Sequence, residues 1–274
     1  MRALQDALVD AVLGRLDFSG RPEPTLAGLR SIYSAWCGRV PFDNMRKLIH
    51  VRRGDLGPLP GDTAVDFFES WLRFGTGGTC WAGNGALCAL LGSLGFNATR
   101  AVGTMLTAPH LPPNHGSVTV DWEGRRYLVD ASILHGEPLL LDAARASAGN
   151  AAWGANCDRH LGHWVVRWRP LHKLDGLDCR IDEFDATAAS FHQRHEKSRS
   201  WSPFNFELYL RLNRGTAVTG IAFGRRIDLD DNGHATQWSM DGHARVRFLI
   251  EEIGIHEEIV HALPPDIPTP PPPH

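Results

Sequence analysis

No run of apolar residues in this sequence approaches the ~20 needed to cross a bilayer as a helix. An excess of charge of one sign is also missing. The 28 Lys and Arg stand against 31 Asp and Glu, a net of −3, which gives no electrostatic pull on nucleic acid or an anionic membrane. Cysteine is scarce: Cys37, Cys80, Cys88, Cys157 and Cys179 are odd in number and lack close paired spacing. That argues against a disulfide framework and for a reducing, cytoplasmic compartment. The opening Met1–Leu8 carries Asp6 and no apolar core, so no secretory signal is expected. Cys157, His160 and His163, like His192 and His195, bring sulfur and imidazole close in sequence, but in neither a CxxC nor an HExxH pattern. No metal is expected.

What is present is an ordinary globular composition, 274 residues at 43% apolar, long enough for two or three small domains. Helical spacing dominates the first 95 residues: Leu4, Leu8, Ala11 and Val12, then a run behind a Thr25 N-cap (Leu26, Leu29, Ile32, Tyr33, Trp36), then Ala64–Phe74. Leu87, Leu90, Leu91 and Leu94 form an apolar stripe closed by Gly95. From 96 to 170 the pattern changes to strands, Ala98–Leu106, a hairpin after His115, and His163–Arg169. Beyond 171 the reading is mixed: Ile181–Arg194 helical, Phe204–Leu212 and Ala217–Phe223 extended, Val246–Leu263 helical. The tail, 264–274, holds seven prolines and forms neither helix nor central strand, which points to a disordered or surface-draped end. The class is α+β, with a helical bundle, an antiparallel sheet or barrel, and a mixed α/β part.

Chemistry concentrates at three residues. Gly75-Thr76-Gly77-Gly78-Thr79 leads directly into a helix that starts at Cys80. The free N–H groups and positive dipole end of a first turn favour a thiolate and suit an oxyanion. Downstream, Ser117–Trp122 and Arg125–Asp130 alternate about Glu123-Gly124. A two-residue turn there pairs Trp122 with Arg125 and puts His115 and Asp130 on one face as diagonal neighbours. A carboxylate beside an imidazole fixes its tautomer, as in nucleophile, base and orienter triads. Taken singly, Cys80 also fits a small buried residue, His115 a strand end and Asp130 a turn cap.

Together these residues resemble the arylamine N-acetyltransferases. Cys80, His115 and Asp130 occur in that family's order, and Tyr127-Leu128-Val129-Asp130 closes the hairpin. Val40-Pro41-Phe42-Asp43-Asn44 resembles its Pro-Phe-acid-Asn segment, Gly77-Gly78-Thr79-Cys80-Trp81 with Asn84 its cysteine motif, and Ser202-Pro203-Phe204-Asn205 the opening of its third domain. The likeness runs from about Leu26 to about Ile250. Two positions depart: Thr76 stands where the family has arginine, and Ala82 where it has an acid or amide.

The resemblance implies a helical domain (1–95) carrying the nucleophile, a β domain (96–170) carrying His115 and Asp130, an α/β lid (171–263) and the tail. It implies an N-acyltransferase working by ping-pong through a Cys80 thioester, with acetyl-CoA or another acyl-CoA as co-substrate and no bound cofactor. Phe42, Trp81 and Phe204 are the expected walls of an amine pocket, with core packing as their other reading. Related members use acyl carrier proteins and form macrolactams as amide synthases in natural-product biosynthesis, and a transglutaminase-like cysteine hydrolase uses the same triad. A small-molecule amine and an acyl thioester are thus the expected partners, with nucleic acid and membrane excluded.

Overall fold

The structure, a computed structural model, describes residues 4–107, 109–142 and 145–272. The first three residues of the expected helical domain and the last two of the proline tail lie outside the described residues. Five helices build the first third: α1 (Asp6–Arg15), α2 (Leu26–Arg39), α3 (Met45–Arg53), α4 (Ala64–Phe74) and α5 (Cys80–Ser93). Thr25 and Thr63 cap α2 and α4 by accepting the Gly28 and Asp66 amides, each at 3.1 Å. Gly75, at φ 77°, ends α4 in the left-handed conformation and begins the turn before Cys80. Helix α5 is buried nearly all round, so its apolar residues need no single face. It runs through the centre of the molecule, with Leu87, Leu90 and Leu91 in one core with Trp36, Phe67, Phe68 and Trp71.

Eight antiparallel strands follow: β2 (Asn97–Met105), β3 (His115–Trp122), β4 (Arg125–Val129), β5 (Leu139–Leu140), β6 (Arg145–Ser147), β7 (Asn156–His160), β8 (His163–Trp168) and β9 (Leu177–Ala186). Their order, β5-β4-β3-β2-β9-β8-β7-β6, returns the two end strands to each other and nearly closes a barrel. The expected hairpin is present with Trp122 opposite Arg125. Glu123 (φ 48°) and Gly124 (φ 73°) form its turn, both with positive φ as the primed two-residue turn requires.

The second sheet has the order β1-β10-β11-β12-β13, with β1 (Phe42–Asp43), β10 (Tyr209–Arg214), β11 (Ala217–Ala222), β12 (Arg225–Leu229) and β13 (Ala235–Ser239). Helix α6 (Ala188–Lys197) joins the two sheets in sequence, and the short helices α7 (Gly242–Arg247) and α8 (Glu257–Ala262) close the chain. The expected partition is crossed twice. β1, from the first 95 residues, pairs with β10, while β9, from beyond residue 171, pairs with β2 and β8.

Three elements differ from the sequence reading. Ile181–Arg194 is not one helix: β9 continues to Ala186, because Leu177, Cys179 and Ile181 alternate inward on the barrel, and α6 starts only after Thr187 caps the Ser190 amide. The strand expected from Phe204 begins at Tyr209, since Pro203 opens a single 3₁₀ turn over Pro203–Asn205. Val246–Leu263 is interrupted by a π turn, Phe248–Ile253, and by Gly254 at φ 86°. The described part of the tail drapes over residues 201–208. Asp266 accepts the Leu208 amide at 2.9 Å and pairs with Arg245, and the Ile267 amide donates to Phe206 O at 3.1 Å. Among the described residues no helix is long and apolar enough to cross a membrane.

Candidate active site

Cys80 opens α5, and Thr79 before it makes no side-chain cap at the first-turn amides. The turn that aims the helix is held from outside. Asp43 accepts the Gly77 amide at 2.6 Å and the Met45 amide at 3.0 Å, and its own amide donates to Gly78 O. Gly77 is required there, because a Cβ would stand 1.8 Å from Pro41 O. Burial, only partly offset by these two amides, raises Asp43 to about 6.

His115 begins β3 and Asp130 follows the end of β4. Their side chains meet, with His115 Nε2 2.8 Å from Asp130 Oδ2 and both groups buried. Asp130 Oδ1 accepts from Ser132 N (2.8 Å), Ser132 Oγ (2.6 Å), Ile133 N (3.0 Å) and Asn84 Nδ2 (3.3 Å). Burial alone would raise this carboxyl, but the His115 charge and hydrogen bond, with the Ser132 and Ile133 donors, hold it well below the ordinary carboxylate range. Burial would equally lower His115, and the Asp130 charge and hydrogen bond overcome it, taking the imidazole to about 10. The Cys80 side chain acts on the same ring and raises it further. With Nε2 committed to Asp130, Nδ1 is the nitrogen left for the thiol. Cys80 Sγ also lies 4.0 Å from Asn114 O, directly before His115.

The three residues are thus brought together from the central helix and the barrel. The arrangement contains a thiol at an open helix start, a protonated imidazole and a buried anion. Nucleophilic attack by sulfur and proton exchange at nitrogen are the chemistry it can perform.

The expected pocket residues divide. Phe42 and Phe204 meet edge-on, with ring centroids 5.3 Å apart, and both contact Tyr209 at 5.5 and 5.7 Å. Trp81 packs instead on Phe191, with ring centroids 5.1 Å apart, where Gly116 leaves room for both rings.

Residues outside the spacing argument complete the site. Tyr33 Oη donates to Asp130 O at 2.8 Å and accepts the Asp130 and His135 amides. Asn84, one turn after Cys80, donates to Gly116 O at 2.6 Å and accepts the Ala131 amide, tying α5 to both ends of the hairpin. Asn44 donates to Phe204 O and Glu207 O and accepts the Tyr209 amide, fixing the Phe204 segment. The cysteine motif flagged Asn84 and the Pro-Phe-acid-Asn segment flagged Asn44, but no signal marked Tyr33. All five cysteines are free and buried.

The sequence profile of the N-acetyltransferase family matches residues 25–152. The arylamine N-acetyltransferase of Mycolicibacterium smegmatis is 32% identical over 144 residues, half of this chain and half of that protein. That of Mycobacterium tuberculosis H37Rv is 30% identical over 127 residues, 44% of this chain and 43% of that one. These sequence matches span half or less of the curated relatives. The fold extends further. The solved arylamine N-acetyltransferase of Mycobacterium abscessus superposes with a TM-score of 0.77 at 18% identity, covering 93% of each chain. The Mycobacterium marinum enzyme in complex with CoA gives 0.75 at 19% identity, covering 92% of this chain and 94% of that chain. The family resemblance and the α+β architecture read from the sequence are both borne out.

Proposed function

We propose that this chain, which belongs with the arylamine N-acetyltransferases by sequence over its first half and by fold over nearly all its length, transfers an acyl group from a thioester to an amine. The observation that carries this is the Asp130–His115 pair placed beside Cys80 at an uncapped helix start.

In the first half-reaction the Cys80 thiolate attacks the thioester carbonyl carbon, and the oxyanion that forms takes hydrogen bonds from the first-turn amides of α5. The carbon–sulfur bond to the donor breaks, and His115 gives its proton to the departing thiolate. An acyl-Cys80 thioester remains. In the second, an amine attacks that carbonyl while His115 accepts its proton, the bond to Cys80 breaks and an amide departs. Asp130 stays ionised throughout, keeping His115 oriented and stabilising its charged form. Phe204, half-buried edge-on against the buried Phe42, offers its ring to an arylamine.

Acetyl-CoA is the donor favoured by the family, and the CoA complex of the Mycobacterium marinum relative supports that reading. Thr76 and Ala82, where the family carries other residues, point only toward specialised acyl transfer, for which the second reading is an amide synthase or an acyl-carrier-protein-dependent N-acyltransferase. A working thiolate and five unpaired cysteines suit a cytoplasmic setting.

The test is steady-state release of free thiol with donor and arylamine varied together. Parallel double-reciprocal lines are expected, and thiol release with carrier-bound but not CoA-bound acyl groups would favour the second reading. Intersecting lines would overturn the ping-pong route.

A further inference from the structure

The segment Trp201–Leu208 carries the Phe204 ring and has no strand ladder of its own, only the 3₁₀ turn Pro203–Asn205 before β10 begins. Its backbone groups must find partners elsewhere in the chain. One partner is Asn44, whose Nδ2 donates to Phe204 O at 2.9 Å and to Glu207 O at 2.8 Å, and whose Oδ1 accepts the Tyr209 amide at 2.8 Å. The other is the proline-rich tail.

Between Pro264 and Pro272 only Asp266, Ile267 and Thr269 are not proline. Each of the three is spent on the same short stretch. Asp266 Oδ1 accepts the Leu208 amide at 2.9 Å, the Ile267 amide donates to Phe206 O at 3.1 Å, and Thr269 Oγ1 donates to Glu207 Oε2 at 3.0 Å. Trp201 Nε1, at the other end of the segment, donates to Pro270 O at 3.3 Å. The prolines between these contacts hold φ near the extended range, so laying the tail down orders little that was free before.

The tail is itself anchored. Asp266 Oδ2 accepts from Arg245 Nη1 of α7 at 2.9 Å, and Arg52 Nη1 of α3 donates to Pro265 O at 3.3 Å. Asp266 therefore joins a fixed guanidinium to the Leu208 amide, next to the Tyr209 amide that Asn44 takes. Phe204 lies just before, its ring edge-on to Phe42 at 5.3 Å and to Tyr209 at 5.7 Å. Asn44 and Asp266 thus hold the Phe204 segment at adjoining amides, from opposite ends of the chain.

We propose that Asp266 is a positioning residue for the amine half-reaction, through which the tail straps down the Phe204 segment and sets how the ring meets an incoming arylamine. This rests on the acyl-transfer reading of Cys80. Formation of the acyl-enzyme does not need the strap; docking of a flat amine does.

The experiment uses the full chain as wild type, Asp266→Ala and Asp266→Asn, with Asp266→Ala also made in a Phe204→Ala background. Acylation of Cys80 by acyl thioesters is timed by intact mass, and discharge of the acyl-enzyme is followed over a range of aniline concentrations. Asp266→Ala should raise the aniline KM by about three- to tenfold, the scale of one lost charge-assisted hydrogen bond, and leave acylation within about twofold of wild type. Asp266→Asn keeps an oxygen for the Leu208 amide and should restore most of the wild-type KM. In Phe204→Ala the further change to Asp266→Ala should add nothing, because its effect passes through that ring. Hydrogen exchange of residues 201–208 should quicken in Asp266→Ala. Unchanged exchange, an unchanged aniline KM, an equal slowing of acylation and discharge, or an effect that persists in the Phe204→Ala background would each overturn the proposal, while acylated wild-type Cys80 leaves the transferase reading standing. Failure of every thioester to acylate wild-type Cys80 would remove both.

Discussion

Asp130 binds His115 with one carboxylate oxygen, at 2.8 Å from Nε2, and gives the other to its own following turn and to Asn84. One buried anion thus orients the imidazole and closes the β4 end of the hairpin. Asp130→Asn should lower the acylation rate by about 10³–10⁴-fold, because the amide cannot hold the same tautomer or the imidazolium. Asp130→Ala should in addition lose about 1–3 kcal/mol of stability, from donors left unpaired. Single-turnover kinetics beside denaturant unfolding checks both. Equal rates in wild type and Asp130→Asn would contradict the assigned role.

The Gly77 turn is expected to tolerate no side chain. With Pro41 O 1.8 Å from the Cβ position, Gly77→Ala should cost about 2 kcal/mol or more. Gly85 has open space at its Cβ position, and Gly85→Ala, within α5, should be neutral or stabilising by up to about 1 kcal/mol. Paired thermal melts of the two variants decide it.

Asp43→Asn should act on the rate more than on the fold. The amide oxygen keeps one acceptor for the Gly77 or Met45 N–H but adds a donor facing the Gly77 turn. A kcat reduced by about 10–100-fold with donor KM little changed is expected, the usual consequence of misplacing a reacting group. A change confined to KM would mean that Asp43 serves binding instead.

Acid should weaken the fold through histidines kept neutral. Burial lowers both His135 and His195 to about 4. Between 6.5 and about 4 the unfolded chain takes up protons that the folded chain refuses, so stability falls as pH falls through that window. Asp43, raised from 3.8 to about 6, works oppositely: the folded state holds its proton first, which favours folding as pH falls through 6. The histidine protons outnumber the one on Asp43, which leaves a net loss. Unfolding midpoints measured from pH 7 to 4.5 should decline, and less steeply in His135→Phe. A midpoint that rises on acidification would contradict this balance.

Much of the site was legible because a hairpin is a local object. Two-residue turns and period-two alternation determine which side chains share a face, and that is enough to bring His115 to Asp130. The position of Cys80 on the same group depended on α5 packing against β3, a tertiary contact for which the motif stood in. Tyr33 lies in α2, 97 residues before the Asp130 it holds, and no spacing rule connects them. β9 was hidden for another reason. Its inward residues Leu177, Cys179 and Ile181 give way to Asp182-Glu183-Phe184, a stretch that reads as helix until its partners β2 and β8 are known. The tail, read as disordered or draped, is draped where described, through Asp266 and backbone bonds that proline spacing alone does not announce.

The central claim is that Cys80 carries the acyl group. Intact-protein mass spectrometry of wild type and Cys80→Ala after brief exposure to acetyl-CoA, without amine, tests it directly. The account predicts one added acetyl group on wild type, none on Cys80→Ala, and its disappearance when an arylamine is added. An unmodified folded wild type across a panel of CoA and carrier-bound thioesters, or an adduct that survives in Cys80→Ala, would contradict it.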